Sequence, residues 1–154
     1  MTKITIDKLN EDNFYDFTAL IAKLAGYEKL LPPDEDAVIR LKNDAFSDNP
    51  KYEAYVLYAD DTPAGYITFY FTYSTFLAKQ TLYLEDIFVA EEFRSKGLGK
   101  TLFEFCKKEA KIRGCGRMDW TVLTWNEPSV KFYEKLGGKR QDWYLYRLDE
   151  EQLN

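Results

Sequence analysis

Residues 81–113 constrain this chain more than any other stretch. A β-rich run ends at Val89, a turn carries Gly97 and Gly99, and a helical pattern continues to residue 113. Where a strand, a glycine turn and a helix follow one another, the first N–H groups of the helix and the positive end of its dipole point outward together. Such a place suits an anion, phosphate above all. Spacing decides among the motifs that could use it. A Walker A loop on Gly99-Lys100-Thr101 needs glycine where Arg94 stands, and a dinucleotide fingerprint starting at Gly97 needs glycine where Leu102 stands. What remains is Arg-x-x-Gly-x-Gly, written here as Arg94, Ser95, Lys96, Gly97, Leu98 and Gly99.

Composition limits what can surround that turn. With 154 residues, 45% of them hydrophobic, the chain has apolar surface for one core, so a single domain over residues 1–154 is expected. Lys and Arg number 21 against 26 Asp and Glu, and the net charge of −5 argues against a nucleic-acid surface. No apolar run approaches the roughly 20 residues of a membrane span, and charges occupy the N-terminal stretch where a signal peptide would be apolar. A cytoplasmic protein with no membrane partner is expected. Histidine is absent, which removes the commonest metal ligand and general base, so no metal is expected and acid-base chemistry falls to Glu, Asp, Tyr, Lys, Cys or water. Cys106 and Cys115 belong to no ligand or redox spacing and read as buried or incidental thiols.

Periodicity supplies the remaining elements. Residues 3–8 read as a strand; Asn10 is placed to cap a helix with Leu9 and Phe14 as staple, and Phe14, Phe17, Ile21 and Leu24 make one buried stripe. Pro32-Pro33 breaks it, and Asp34 starts a second helix carrying Val38, Leu41 and Ala45. Strands at 52–58 and 65–73 flank a turn at 60–65, and a third strand at 81–89 has Glu85 and Asp86 in its middle. A helix over 97–113 turns Leu98, Leu102, Phe105 and Ile112 inward and stops at Gly114. Residues 117–124 predict a strand, Pro128 opens a short helix ended by Gly137, and 143–148 predict a last strand.

The chain resembles the GCN5-related N-acetyltransferase (GNAT) superfamily, and within it the spermidine/spermine and thialysine acetyltransferases. The likeness rests on five blocks in family order: residues 24–28, 71–73, 82–89, the glycine turn, and 125–129 with Phe132-Tyr133. It implies an α/β fold with a mixed, mostly antiparallel central sheet flanked by helices. It also implies acetyl-CoA as co-substrate, with the amides of Ser95, Lys96, Gly97, Leu98, Gly99 and Lys100 on its pyrophosphate beside Arg94. The main chain of Ile87, Phe88 and Val89 would pair with the pantetheine arm like an added strand, and Asn126 and Ser129 belong to the block that contacts coenzyme A. A homodimer is expected on the same ground.

The chemistry implied is attack by a primary amine on a thioester. An alkylamine with a pKa of about 10.4 is neutral in only on the order of one molecule in a thousand at pH 7, so a proton must leave first. The resemblance offers Glu85 as base, through water, with its pKa raised by partial burial; the alternative is that it orders substrate by charge alone. Asp86 should face away from it across a regular strand, in a structural or dimer-related role. Tyr133 matches the family's proton donor to the leaving thiolate. Tyr27 and Glu28 match positions that contact a cationic tail. Ser74, Thr75 and Phe76 stand where polyamine enzymes carry an acid and a tryptophan, which favours a thialysine-like branch with short diamine or lysine-like substrates. Trp143, in the run 142–148, could wall the acceptor pocket, pair with a second subunit or fill core. A small cationic amine is therefore the expected substrate. Acetylation of protein N-termini or lysines, and a non-catalytic acyl-CoA sensor, are the alternatives.

Overall fold

The alternating run at the N-terminus forms β1 (Ile4–Lys8) in the computed structural model, which describes residues 1–154. Asn10 does not cap the first helix as expected. Its side chain accepts hydrogen bonds from the N–H groups of Asp12 and Asn13, an Asx turn that delays the helix until α1 (Phe14–Tyr27). Leu9 and Phe14 are buried in one cluster, and α1 buries Phe14, Phe17, Leu20 and Ala25. Asp34 does cap α2 (Glu35–Phe46), accepting from the Ala37 N–H at 2.9 Å.

Strands β2 (Glu53–Ala59) and β3 (Thr62–Ser74) meet in a tighter hairpin than expected. Only Asp60 and Asp61 form the turn, both with positive φ (48° and 64°), the backbone sign of a type I′ connection. β4 (Lys79–Val89) follows, then a short 3₁₀ turn (Glu91–Phe93), α3 (Leu98–Ile112) and β5 (Arg117–Asp119). The sheet runs β1-β2-β3-β4-β5, antiparallel throughout except for the parallel β4–β5 pair, so the expected mixed, mostly antiparallel sheet is present.

Helix α1 covers one face: Phe17 meets Tyr66 of β3 edge-on at 5.5 Å. Helix α3 covers the other, burying Leu98, Leu102, Phe103, Cys106 and Ala110, with Phe105 against Tyr55 of β2 at 4.7 Å. Ile112, expected inward, is two-thirds exposed, because by the last turn the stripe has rotated to Ala110.

The chain divides into two compact units, residues 1–121 and 122–154. The first contains everything described so far. The second contains α4 (Glu127–Lys135) and a short 3₁₀ turn (Glu150–Gln152). Two expectations fail at this end. The strand expected over 117–124 stops at Asp119, and residues 143–148 form no strand, with Trp143 84% exposed. β-forming side chains specify a strand only when a neighbouring strand takes up their backbone groups, and none of the five strands pairs with this run.

Candidate active site

Register on β4 decides what the site is made of. Thr68 of β3 stands opposite Asp86, but the next pair is Phe69 with Leu84, so Glu85 is an extra residue without a partner, a β-bulge. Cross-strand partners share a face, so Leu82, Leu84 and Ile87 lie with Phe71, Phe69 and Ile67 toward α3, while Tyr83, Asp86 and Phe88 lie with Tyr70, Thr68 and Tyr66 toward α1. The bulged Glu85 turns the same way, for its carboxylate accepts from the Tyr70 hydroxyl at 3.2 Å. Asp86 accepts from the Thr68 hydroxyl at 3.1 Å. The expectation that Asp86 faces away from Glu85 is therefore corrected: the bulge cancels one step of the alternation.

The partial burial expected of Glu85 falls on its neighbour. Burial pushes the Asp86 carboxyl up to about 6; the nearby charges of Glu85 and Glu28 add to the rise, and the Thr68 hydrogen bond opposes it. Glu28, at the C-terminal cap of α1, is raised as well, first by burial and then by Glu85. Three carboxylates thus share one electrostatic neighbourhood on the α1 face. The Tyr66 hydroxyl is buried beside them and next to the Asp86 carboxyl, but no partner meets it at full hydrogen-bonding geometry. Burial and Glu85 also push the Tyr70 phenol up to about 12, so at neutral pH it stays a donor.

Next to this cluster the glycine turn has the shape its sequence implied. Ser95 and Gly97 take positive φ (62° and 78°), and Gly97 caps α3 with no side chain occupying its N-terminus. Thr101 donates to the Gly97 carbonyl in the first helical bond, at 3.0 Å, which leaves the N–H groups of Leu98, Gly99 and Lys100 directed along the axis. The Lys96 ammonium reaches back to the Glu92 carbonyl at 3.4 Å. Ala90 donates to Ala64 of β3 at 2.8 Å, so by antiparallel alternation Val89 and Ile87 turn their N–H and C=O groups away from β3. On that side β5 pairs only with residues 81–83, and β4 beyond Tyr83 has no strand beside it. Gly65 lies opposite Val89, where a Cβ would collide with the Phe88 carbonyl oxygen, so glycine is needed for β3 to approach.

The other sequence candidates are placed as follows. Tyr27 ends α1, with the Arg94 guanidinium 4.8 Å from the centre of its ring. Phe76 lies fully exposed in the turn between β3 and β4. In the second unit Asn126 caps α4, accepting from the Ser129 N–H at 3.4 Å, and Glu127 precedes Pro128 as the first helical residue. Tyr133 lies on α4 with its ring 5.2 Å from that of Phe132, and Gly138 donates to its carbonyl at 2.9 Å. Both thiols are raised by burial, Cys106 to about 12, which leaves Cys106 a protonated core residue at neutral pH. Sequence reading missed Tyr66, Thr68 and Tyr70. Their signal is faint but present, three polar-tipped residues at every second position of β3, opposite the pair of acids.

The family model for the acetyltransferase (GNAT) family matches residues 16–138, most of the chain. The chain belongs to that family. It is an N-acetyltransferase, as the resemblance in its sequence implied. A thialysine N-epsilon-acetyltransferase of Sus scrofa is 30% identical over 165 residues, covering 99% of this acetyltransferase and 96% of its own chain. The L-ornithine N5-acetyltransferase NATA1 of Arabidopsis thaliana is 42% identical over 95 residues, 61% of this chain and 42% of that protein. Among solved structures, the aminoglycoside N-acetyltransferase AAC(6')-Iy, in complex with CoA, superposes with a TM-score of 0.80 at 19% identity, covering 97% of each chain, a likeness of fold.

Proposed function

We propose that residues 1–154 act as one catalytic domain that binds acetyl-CoA at the glycine turn and transfers its acetyl group to a primary amine of a small cationic substrate. The observation that carries this reading is the shared face of Glu28, Glu85 and Asp86 beside the turn. Three carboxylates with a buried hydroxyl among them favour an ammonium group over a neutral or anionic acceptor. The names of the relatives, which specify thialysine and ornithine, support an amine on a short amino-acid-like chain.

For the donor, the free amides of Leu98, Gly99 and Lys100 would take the pyrophosphate. Both outward groups of Ile87 and the outward N–H of Val89 would take the pantetheine arm as a strand takes its neighbour. Asn126 and Ser129 complete the donor contacts by family position. For the reaction, the substrate amine loses a proton to Glu85, directly or through water. Its lone pair then attacks the thioester carbonyl, and the thiolate leaves with a proton from Tyr133. No metal takes part. No helix is long and apolar enough to cross a membrane. That fact and the acidic balance of charges support a cytoplasmic enzyme without membrane or nucleic-acid partners, and family position supports a homodimer. Phe76 and Trp143 are assigned to the acceptor side.

The test is thiol release from acetyl-CoA with thialysine, ornithine, lysine, putrescine, spermidine and a lysine peptide. Turnover with the short amines is expected. Turnover with the peptide alone would replace the proposal with a protein acetyltransferase, and binding of acetyl-CoA without thiol release for any amine would replace it with a sensor.

A further inference from the structure

Arg94 opens the glycine motif, and a cation beside a phosphate cradle invites the reading that its guanidinium holds phosphate. Its contacts point elsewhere. The Arg94 Nε donates to the Val89 carbonyl at 2.9 Å, and the guanidinium lies 4.8 Å from the centre of the Tyr27 ring and 5.7 Å from that of Phe88. The first contact falls on the unpaired side of β4, where Val89 faces away from β3. The second falls on the α1 face, one residue from Glu28. The side chain therefore spans from the last outward carbonyl of β4 to the aromatic end of α1.

From this geometry we infer that Arg94 is a positioning residue: it closes the unpaired side of β4 at Val89, so that a strand-like donor arm stops there, and it braces Tyr27 on the acceptor side. The planar guanidinium is suited to both tasks, because Nε can donate in the plane while the face lies over a ring. With the Val89 carbonyl already engaged, an arm lying along β4 finds the Val89 N–H and both groups of Ile87, which fixes its register and with it the reach of the thioester. The inference rests on the donor reading above.

The experiment measures two dissociation constants by calorimetry on the full chain: acetyl-CoA, and 3′-phospho-ADP, which is coenzyme A without its pantetheine. Arg94→Met is expected to weaken acetyl-CoA about fivefold, the size of one exposed hydrogen bond and one cation–π contact, while 3′-phospho-ADP changes less than twofold. Arg94→Lys, which keeps the charge without the planar fork, should behave like Arg94→Met. Equal loss for both ligands, loss for the nucleotide alone, or no loss for either would overturn the assignment. Because Arg94 is exposed, its replacement should leave the melting temperature unchanged, and the binding comparison reads the role without requiring turnover. A wild-type protein that binds acetyl-CoA yet turns over no amine would sink the proposed function and leave this comparison intact.

A second readout uses the bracing contact. If Arg94 acts through Tyr27, Tyr27→Leu and Arg94→Met should each raise the amine KM severalfold, and the double variant should be no worse than the poorer single one. Strict multiplication of the two effects would show the residues to be independent.

Discussion

Glu85 and Asp86 are adjacent in sequence, yet their carboxylates face the same way, Glu85 bonded to Tyr70 and Asp86 to Thr68 two residues earlier on β3. One inserted residue produces this, because Phe69 pairs with Leu84 while Thr68 pairs with Asp86. Two roles then become separable by substitution. Asp86 is half-buried, with its carboxyl pushed up to about 6, and Glu85 is exposed.

If Glu85 takes the amine proton, Glu85→Gln should lower turnover at pH 7 by tenfold or more, and the deficit should shrink as pH rises toward about 10, where the free amine supplies its own neutral form. A pH–rate profile of both proteins checks this. An unchanged kcat with a raised KM would mean that Glu85 only attracts the substrate.

The Asp86 carboxyl titrates near 6 in the fold against 3.8 as its ordinary value. The folded state therefore holds the proton more tightly. The sign follows: this group's contribution is fully present below about pH 4 and is lost as pH rises through 6, a swing on the order of 3 kcal/mol. Asp86→Asn keeps an acceptor for Thr68 and removes the charge. Its melting temperature should exceed that of the wild type at pH 7.5, and the difference should vanish near pH 4. Parallel curves across that range would contradict the assignment.

Tyr66 has a buried hydroxyl beside Asp86 that no partner meets at full hydrogen-bonding geometry, and a buried hydroxyl left unsatisfied costs stability of about 1–3 kcal/mol unless something binds to it. Tyr66→Phe should match or exceed the wild-type melting temperature while raising the KM for the amine. A loss of stability with an unchanged KM would show that the hydroxyl is satisfied within the fold.

For Tyr133 the expected signature is kinetic. Tyr133→Phe should lower turnover by roughly tenfold or more, within the range of general acid catalysis, and leave acetyl-CoA affinity nearly intact. Stopped-flow turnover with a parallel binding titration would show it, and an unchanged rate would remove the residue from the mechanism.

Much of this is legible in the sequence. The Gly97 turn, the Asp34 cap and the helical stripe on α1 are local signals, each decided by a few neighbouring residues. The bulge is different. Its trace is a change of phase, with Leu82 and Leu84 facing α3 before Glu85 and Ile87 facing it afterwards, and Phe88 hides the change by being apolar on the opposite side. The run 143–148 failed for a related reason: its residues favour a strand, but a strand also needs a neighbour, which no local pattern supplies. Asn10 shows a smaller version, where one side chain could serve a cap or an Asx turn and the route of the chain into α1 chose the latter.

The pairing of β4 with β5 ends after three residues. A row of unclaimed amides is ordinarily a hazard, an invitation to stray chains, and proteins blunt it with charges, proline or a covering element. On the proposed reading this enzyme covers the row with its own co-substrate. Its solubility and its catalytic cycle are then linked: the starved enzyme is the sticky one, each acetyl-CoA that docks shields the gap, and a preparation purified without the donor should be the first to clump on storage.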